Sequence, residues 1–106
     1  MMTRWRAALH EAGHAVIGFS LGWLVEQIVV SETEEGIPAH TIAMPRGDAR
    51  PPTAMDRLLY ASGGFIAEAI DLGTDPRDAV RRAIAQGARD GDEMLASLKL
   101  LSAECQ

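Results

Sequence analysis

The sequence predicts an α+β domain that is mainly helical, with one small β-hairpin. Three observations predict it. The first 22 residues carry apolar side chains at helical spacing. Residues 25–45 hold two strand-like runs around a polar turn. From residue 53 onward, helix-start signals recur at Thr53, at Asp75-Pro76 and at Asp90. The 106 residues are near the common size of one domain, and no linker divides them. The expected organisation is a single domain over 1–106.

Residues 3–22 read as the first helix. Trp5, Ala8, Ala12, Val16 and Phe19 recur at three- and four-residue steps, with Thr3 as N-cap and Gly22 as stop. Gly13 and Gly18 sit inside it. An interior glycine costs about 1 kcal/mol relative to alanine, and one kept there marks a close approach by another element. Trp5 and Trp23 read as core or interface anchors.

"VEQIVVS", 25–31, is β-branched and reads as a strand. "ETEEG" follows as a loop with turn chemistry at Gly36, its glutamates Glu32, Glu34 and Glu35 solvated. "IPAHTIAMP", 37–45, reads as a second strand that Pro38 and Pro45 restrict to an edge or a short span. "RGDARPP", 46–52, is a loop.

Thr53 then caps a helix over 54–71, with Asp56 in its first turn. Gly63-Gly64 interrupts its pattern, as a device for close packing on the first helix. Asp75 and Pro76 restart a helix that runs to about Gln86. Asp90 followed by Glu93 resembles a capping box for a last helix, from 90 to about 104.

Composition narrows the function. The net charge is -5 and the only lysine is Lys99. The arginines are scattered, so no basic groove is available to track phosphates, and nucleic acid is not an expected partner. Cys105 is the single cysteine, which precludes an internal disulfide and fits a reducing compartment. It reads as an inert tail thiol. The longest apolar stretch, Ala15 to Val25, is well short of the roughly 20 residues of a membrane span. The opening residues do not read as a signal peptide. A cytoplasmic chain with no membrane span is expected.

The chemistry lies in "RAALHEAGHAVIGFSLG", 6–22. On a helix His10 and His14 share a face one turn apart and can present two imidazole nitrogens to one cation. Glu11 lies on the adjacent flank, placed to reach a water held by the metal. This is the HExxH pattern of two zinc ligands and a general base. The competing reading is an amphipathic helix that happens to hold two histidines. A catalytic zinc usually takes a third protein ligand. Spacing alone leaves His40, Glu68 and the Asp90/Asp92/Glu93 group open.

Several segments carry a resemblance. "HEAGHAVIGFSLG" looks like the start of the peptidase domain of FtsH-type zinc proteases, the membrane-bound AAA proteases. "VEQIVVS" and "TIAMPRG" resemble that family's following strands, "MDRLLYASGGFIAEAI" its helix with a paired glycine, and "DGDEMLAS" its last ligand-bearing helix start. The likeness covers about residues 7–100. It implies a zincin-like protease core with a zinc ion held by His10, His14 and Asp92. Glu11 would act as general base. Asp90 is then the helix cap and Glu93 its capping partner. Glu68 is read as a partner to a ligating histidine's other nitrogen or as a solvent-facing acid, and His40 as a strand histidine near a substrate edge.

Phe65 stands where the family usually has arginine, and these residues hold no Gly-x-x-x-x-Gly-Lys-Ser/Thr segment, so a P-loop ATPase beside the site is not expected. The implied activity is a stand-alone zinc metalloendopeptidase acting on peptides or unfolded protein. The family forms rings, so a homo-oligomer or a separate ATPase are the partners the likeness raises. Two other readings stand beside it. One is a zinc-stabilised binding or regulatory module without turnover, and the other is a zinc hydrolase of a non-peptide amide.

Overall fold

The computed structural model describes residues 3–31, 39–47 and 51–104. Helix α1 is Arg4–Ser20, strands β1 and β2 are Leu24–Val30 and Ala39–Met44, and helices α2, α3 and α4 are Ala54–Leu72, Pro76–Ala85 and Arg89–Glu104. The chain is thus α+β and mainly helical. The expected turn at Gly36, the glutamates 32, 34 and 35, Pro38 and Cys105 lie outside the described residues.

Local chemistry sets most boundaries. The Thr3 hydroxyl accepts the Arg6 N–H at 3.1 Å and starts α1. Gly22, at φ 80°, ends it in a left-handed conformation that a side chain would strain. Thr53 and Asp56 form a reciprocal capping box at the start of α2, at 3.0 and 3.1 Å. Asp56 is buried in that role. Asp75 caps α3, and Pro76 occupies its first turn.

The last boundary differs from expectation. Helix α4 begins at Arg89, and the Asp92 N–H already bonds back to the Ala88 carbonyl at 2.8 Å. Asp90 is therefore inside the first turn and is not the cap.

Helices α1 and α2 run antiparallel. Gly13 meets Gly63, His14 meets Tyr60 and His10 meets Glu68, so numbers rise along one helix as they fall along the other. The glycines make this contact possible. A Cβ on Gly63 would lie 2.7 Å from the Gly13 carbonyl oxygen, a distance no real side chain tolerates.

The hairpin covers one flank of α1. Its register runs from Leu24↔Met44 to Val30↔Ala39, with a bulge between Val25 and Gln27. On the other side α3 and α4 close over α2. There Ala61, Ala83 and Met94 form the core, with Leu58, Phe65, Val80 and Ile84 packed around them. Trp5, Val16 and Phe19, part of the periodic set that marks α1 in the sequence, are exposed. The buried face of α1 is the one with His10, Gly13, His14 and Gly18. Among the described residues no helix is long and apolar enough to cross a membrane.

Candidate metal centre

Three side chains from the two ends of the chain converge between α1, α2 and α4. His10 Nε2 lies 2.9 Å from Asp90 Oδ2, His14 Nε2 lies 3.0 Å from the same oxygen, and the two Nε2 atoms are 3.1 Å apart. Both histidines are buried and Asp90 is half-buried.

The outward nitrogens are also held. His14 Nδ1–H donates to the Tyr60 carbonyl at 2.6 Å. A carbonyl can only accept, so this nitrogen carries the proton. His10 Nδ1–H donates to Glu68 Oε2 at 2.9 Å. Each ring is thereby oriented with its Nε2 directed at Asp90, as in metal sites where a ligating histidine donates its other N–H to a carboxylate or carbonyl.

Two imidazole lone pairs and a carboxylate oxygen aimed at one point repel one another unless a proton or a cation lies between them. Ligands about 2.0–2.1 Å from a tetrahedral ion stand about 3.3 Å apart. The observed triangle is within a few tenths of an ångström of that. Without an ion, protons serve. Burial disfavours a charge on His10, but its hydrogen bonds to Asp90 and Glu68 outweigh burial and raise its pKa to about 9. Burial likewise works against ionised Asp90, and the two histidines overcome it, holding this carboxyl well below the usual range.

Packing locks the ring positions. The His10 ring occupies the space where a Cβ on Gly64 would stand. The ring of Phe65 meets it edge-to-face, with centroids 4.8 Å apart and an interplanar angle of 87°. Tyr60 lies against His14 on one side and against Trp23 on the other, with centroids at 5.2 and 5.0 Å.

The site opens into a cleft of about 550 Å³, within the size range of small-molecule sites. Glu11 is buried on its wall. The Thr41 hydroxyl, from β2, lies 2.8 Å from Glu11 Oε1 and 2.9 Å from the Glu11 carbonyl. This tether places the carboxylate on the strand side of the cleft, off the metal triangle. Tyr60 lines the same cleft. Burial raises its phenol pKa, and the negative charges of Glu11 and Asp90 add to that.

His10, Glu11 and His14 are thus brought together as the sequence expects. Asp92 is not brought to them. It is exposed and faces a separate shallow hollow with Gly87, Arg89, Glu93 and Ala96. The carboxylate at the histidines is Asp90. The reason is helical phase. Asp90, Met94 and Ser97 share the inward face of α4, at steps of four and three, whereas two residues past Asp90 the helix has turned by about 200°. Met94 and Leu101, seven apart, share that phase, but Leu95 and Leu98, exposed in the fold, offer another apolar face, so the letters alone do not select Asp90. Glu68 is the partner of His10 Nδ1, and His40 lies on the cleft wall, exposed, rather than at the metal triangle. Tyr60 and Thr41 carry no sequence signature, because one acts through its backbone and the other through a hydroxyl 30 residues from its partner.

No family model matches the chain, and no curated protein or solved structure does either. The likeness to FtsH-type peptidases rests on the sequence motifs alone.

Proposed function

We propose that this chain is a zinc-dependent hydrolase of peptide bonds, with His10, His14 and Asp90 as ligands and Glu11 as general base. The observation that carries the reading is the doubly held histidine pair. Both Nδ1 atoms are spent on Glu68 and Tyr60, so both Nε2 atoms are left to face a cation beside Asp90, which would take the place of the proton on His10 Nε2. Zinc bound there would supply a water acidic enough to ionise near neutral pH and would polarise a carbonyl.

The chain's own groups do the rest. Glu11 accepts the water's proton as the oxygen adds to the carbonyl carbon, then passes it to the leaving amine. The Thr41 hydroxyl holds that carboxylate in one orientation. The cleft between β2, α2 and α4 receives the substrate, and its partly apolar wall, with Ala7, Trp23, Pro52 and Ala61, limits water around the reacting centre.

Two histidines and one carboxylate also suit iron(II). Glu11 favours hydrolysis, because a buried carboxylate beside the ligands but outside the triangle has a use in proton transfer and none in holding the ion. A zinc-stabilised module without turnover would not need it.

The test is metal content and peptidase activity of the purified protein beside Glu11→Gln. The expected result is near-stoichiometric zinc in both, with casein or peptide hydrolysis only in the wild type and reduced at least about a hundredfold in the variant. Zinc in both with no hydrolysis in either would identify the binding module. A wild type that holds no zinc after reconstitution would overturn the reading.

A further inference from the structure

The side of the α1–α2 pair that faces away from the candidate metal centre is apolar, and six of its nine side chains are exposed among the described residues, with Leu9, Ala12 and Ile66 half-buried. On α1, Trp5, Leu9, Ala12, Val16 and Phe19 fall within an arc of about 80° at 3.6 residues per turn. Trp5 is 67% exposed, Val16 63% and Phe19 77%. On α2, Met55, Leu59, Ile66 and Ile70 fall within about 60°, and Ile70 is 68% exposed.

These two stripes are neighbours. Gly13 and Ile17 mark the line where α1 meets α2, and Gly63 marks it on α2. His10 and His14 lie to one side of that line with Tyr60 and Gly64, facing Asp90. In an antiparallel pair the same sense of rotation carries both helices towards the same side. The stripes, displaced the opposite way on both helices, therefore form one continuous face on the reverse of the site.

We infer that this face is the interface of a two-fold homodimer, in which the α1–α2 layer of one chain packs on the same layer of a second copy. Four observations select this occupant. None of the nine stripe positions carries a charge, so two chains of net charge -5 can meet there without placing like charges in contact. The polar side chain at the edge of the α2 stripe, Ser62, is buried, bonds to the Leu59 carbonyl at 2.8 Å and makes no demand on a partner.

The size also fits. Helices of 17 and 19 residues are about 26 and 28 Å long, and lie about 8–10 Å apart. They present a face of about 500 Å² in plan, and more as accessible surface, against the roughly 800 Å² per partner of a standard interface. The chain's own core, finally, is short of large side chains. Among the described residues the buried hydrophobics are five alanines and Met94, so burying Trp5, Phe19, Val16 and Ile70 in a dimer would add apolar contact that the single chain lacks.

A lipid surface is the competing occupant. It fits less well, because an acidic chain with one lysine lacks the basic flanks that hold an amphipathic face on anionic lipid. In the dimer the two metal clefts open on opposite outer sides and stay accessible. The paired α1–α2 layers would form a four-helix arrangement.

The test is sedimentation equilibrium of the full chain at micromolar concentrations, for wild type, Val16→Glu and Ile70→Glu, with circular dichroism for each. Both sites are exposed in the single chain, so a glutamate is tolerated there unless a partner covers it. The expected result is a dimeric wild type and two folded variants whose dimer dissociation constant rises more than about a hundredfold, since each substitution enters the interface twice. A wild type that is monomeric at tens of micromolar overturns the inference, as does a dimer that survives both substitutions in folded protein. A monomeric wild type that sediments with anionic vesicles overturns it in favour of a membrane surface.

Discussion

Asp90 Oδ2 lies 2.9 Å from His10 Nε2, across 80 residues of chain. The same oxygen is 3.0 Å from His14 Nε2, so one carboxylate closes a triangle that the HExxH helix leaves open. The last helix completes the site that the first helix begins.

If the triangle holds zinc as proposed, Asp90→Ala should abolish its binding and Asp92→Ala should not. Loss of an outer partner to a metal site costs about 10–100-fold in affinity, and loss of the ligand itself exceeds that. Zinc content after dialysis against a competing chelator separates the two variants. Retention in Asp90→Ala with loss in Asp92→Ala would remove Asp90 from the ligand set.

Glu68→Gln tests the held tautomer. The amide can still meet the His10 Nδ1–H but no longer supports it with a charge, so zinc affinity falls by about 10–100-fold while the fold is kept. Titration with a zinc indicator gives the value, and unchanged affinity would show that Glu68 does not tune His10.

Gly64→Ala should disable the site without touching a ligand. Its methyl group would occupy the space of the His10 ring, displacing the imidazole from the triangle. The overpacking costs about 1–3 kcal/mol of stability. Thermal melts of the metal-free form report that cost, and zinc binding reports the lost geometry. A fully zinc-loaded Gly64→Ala protein would show that the ring has room to move.

The metal-free protein should lose stability on the alkaline side. The His10 pKa is raised from 6.5 to about 9 in the fold. Its contribution is then complete below pH 6.5 and is lost as pH rises through about 9. Asp90 acts in the other direction. Its folded pKa lies below the ordinary 3.8, so its contribution is present above that value and is lost on acidification. Zinc reverses the alkaline trend, since it needs the deprotonated Nε2 and binds better as protons leave. Urea melts between pH 6 and pH 10, with and without zinc, should show a falling curve for the metal-free protein and none for the loaded one.

Much of this protein is written locally. Thr3, Thr53-Asp56 and Asp75-Pro76 start their helices through hydrogen bonds spanning two or three residues, so their sequence neighbourhoods are enough. His10 and His14 share a face because a helix turns once in 3.6 residues, and Glu11 follows with them. Other features depend on how the elements meet. Asp90 and Asp92 are equivalent as letters in a helix start. They differ only once Met94 is buried against Ala61 and Ala83, because that contact sets the rotation of α4. The Tyr60 carbonyl that fixes His14 is a backbone atom that every residue possesses, selected only by the glycine-lined contact of α1 on α2. The apolar stripe of Trp5, Val16 and Phe19 is visible as a helical period, but periodicity does not say which face turns inward. The histidine and glycine face of α1 does, because only there can α2 approach closely enough to hold both rings.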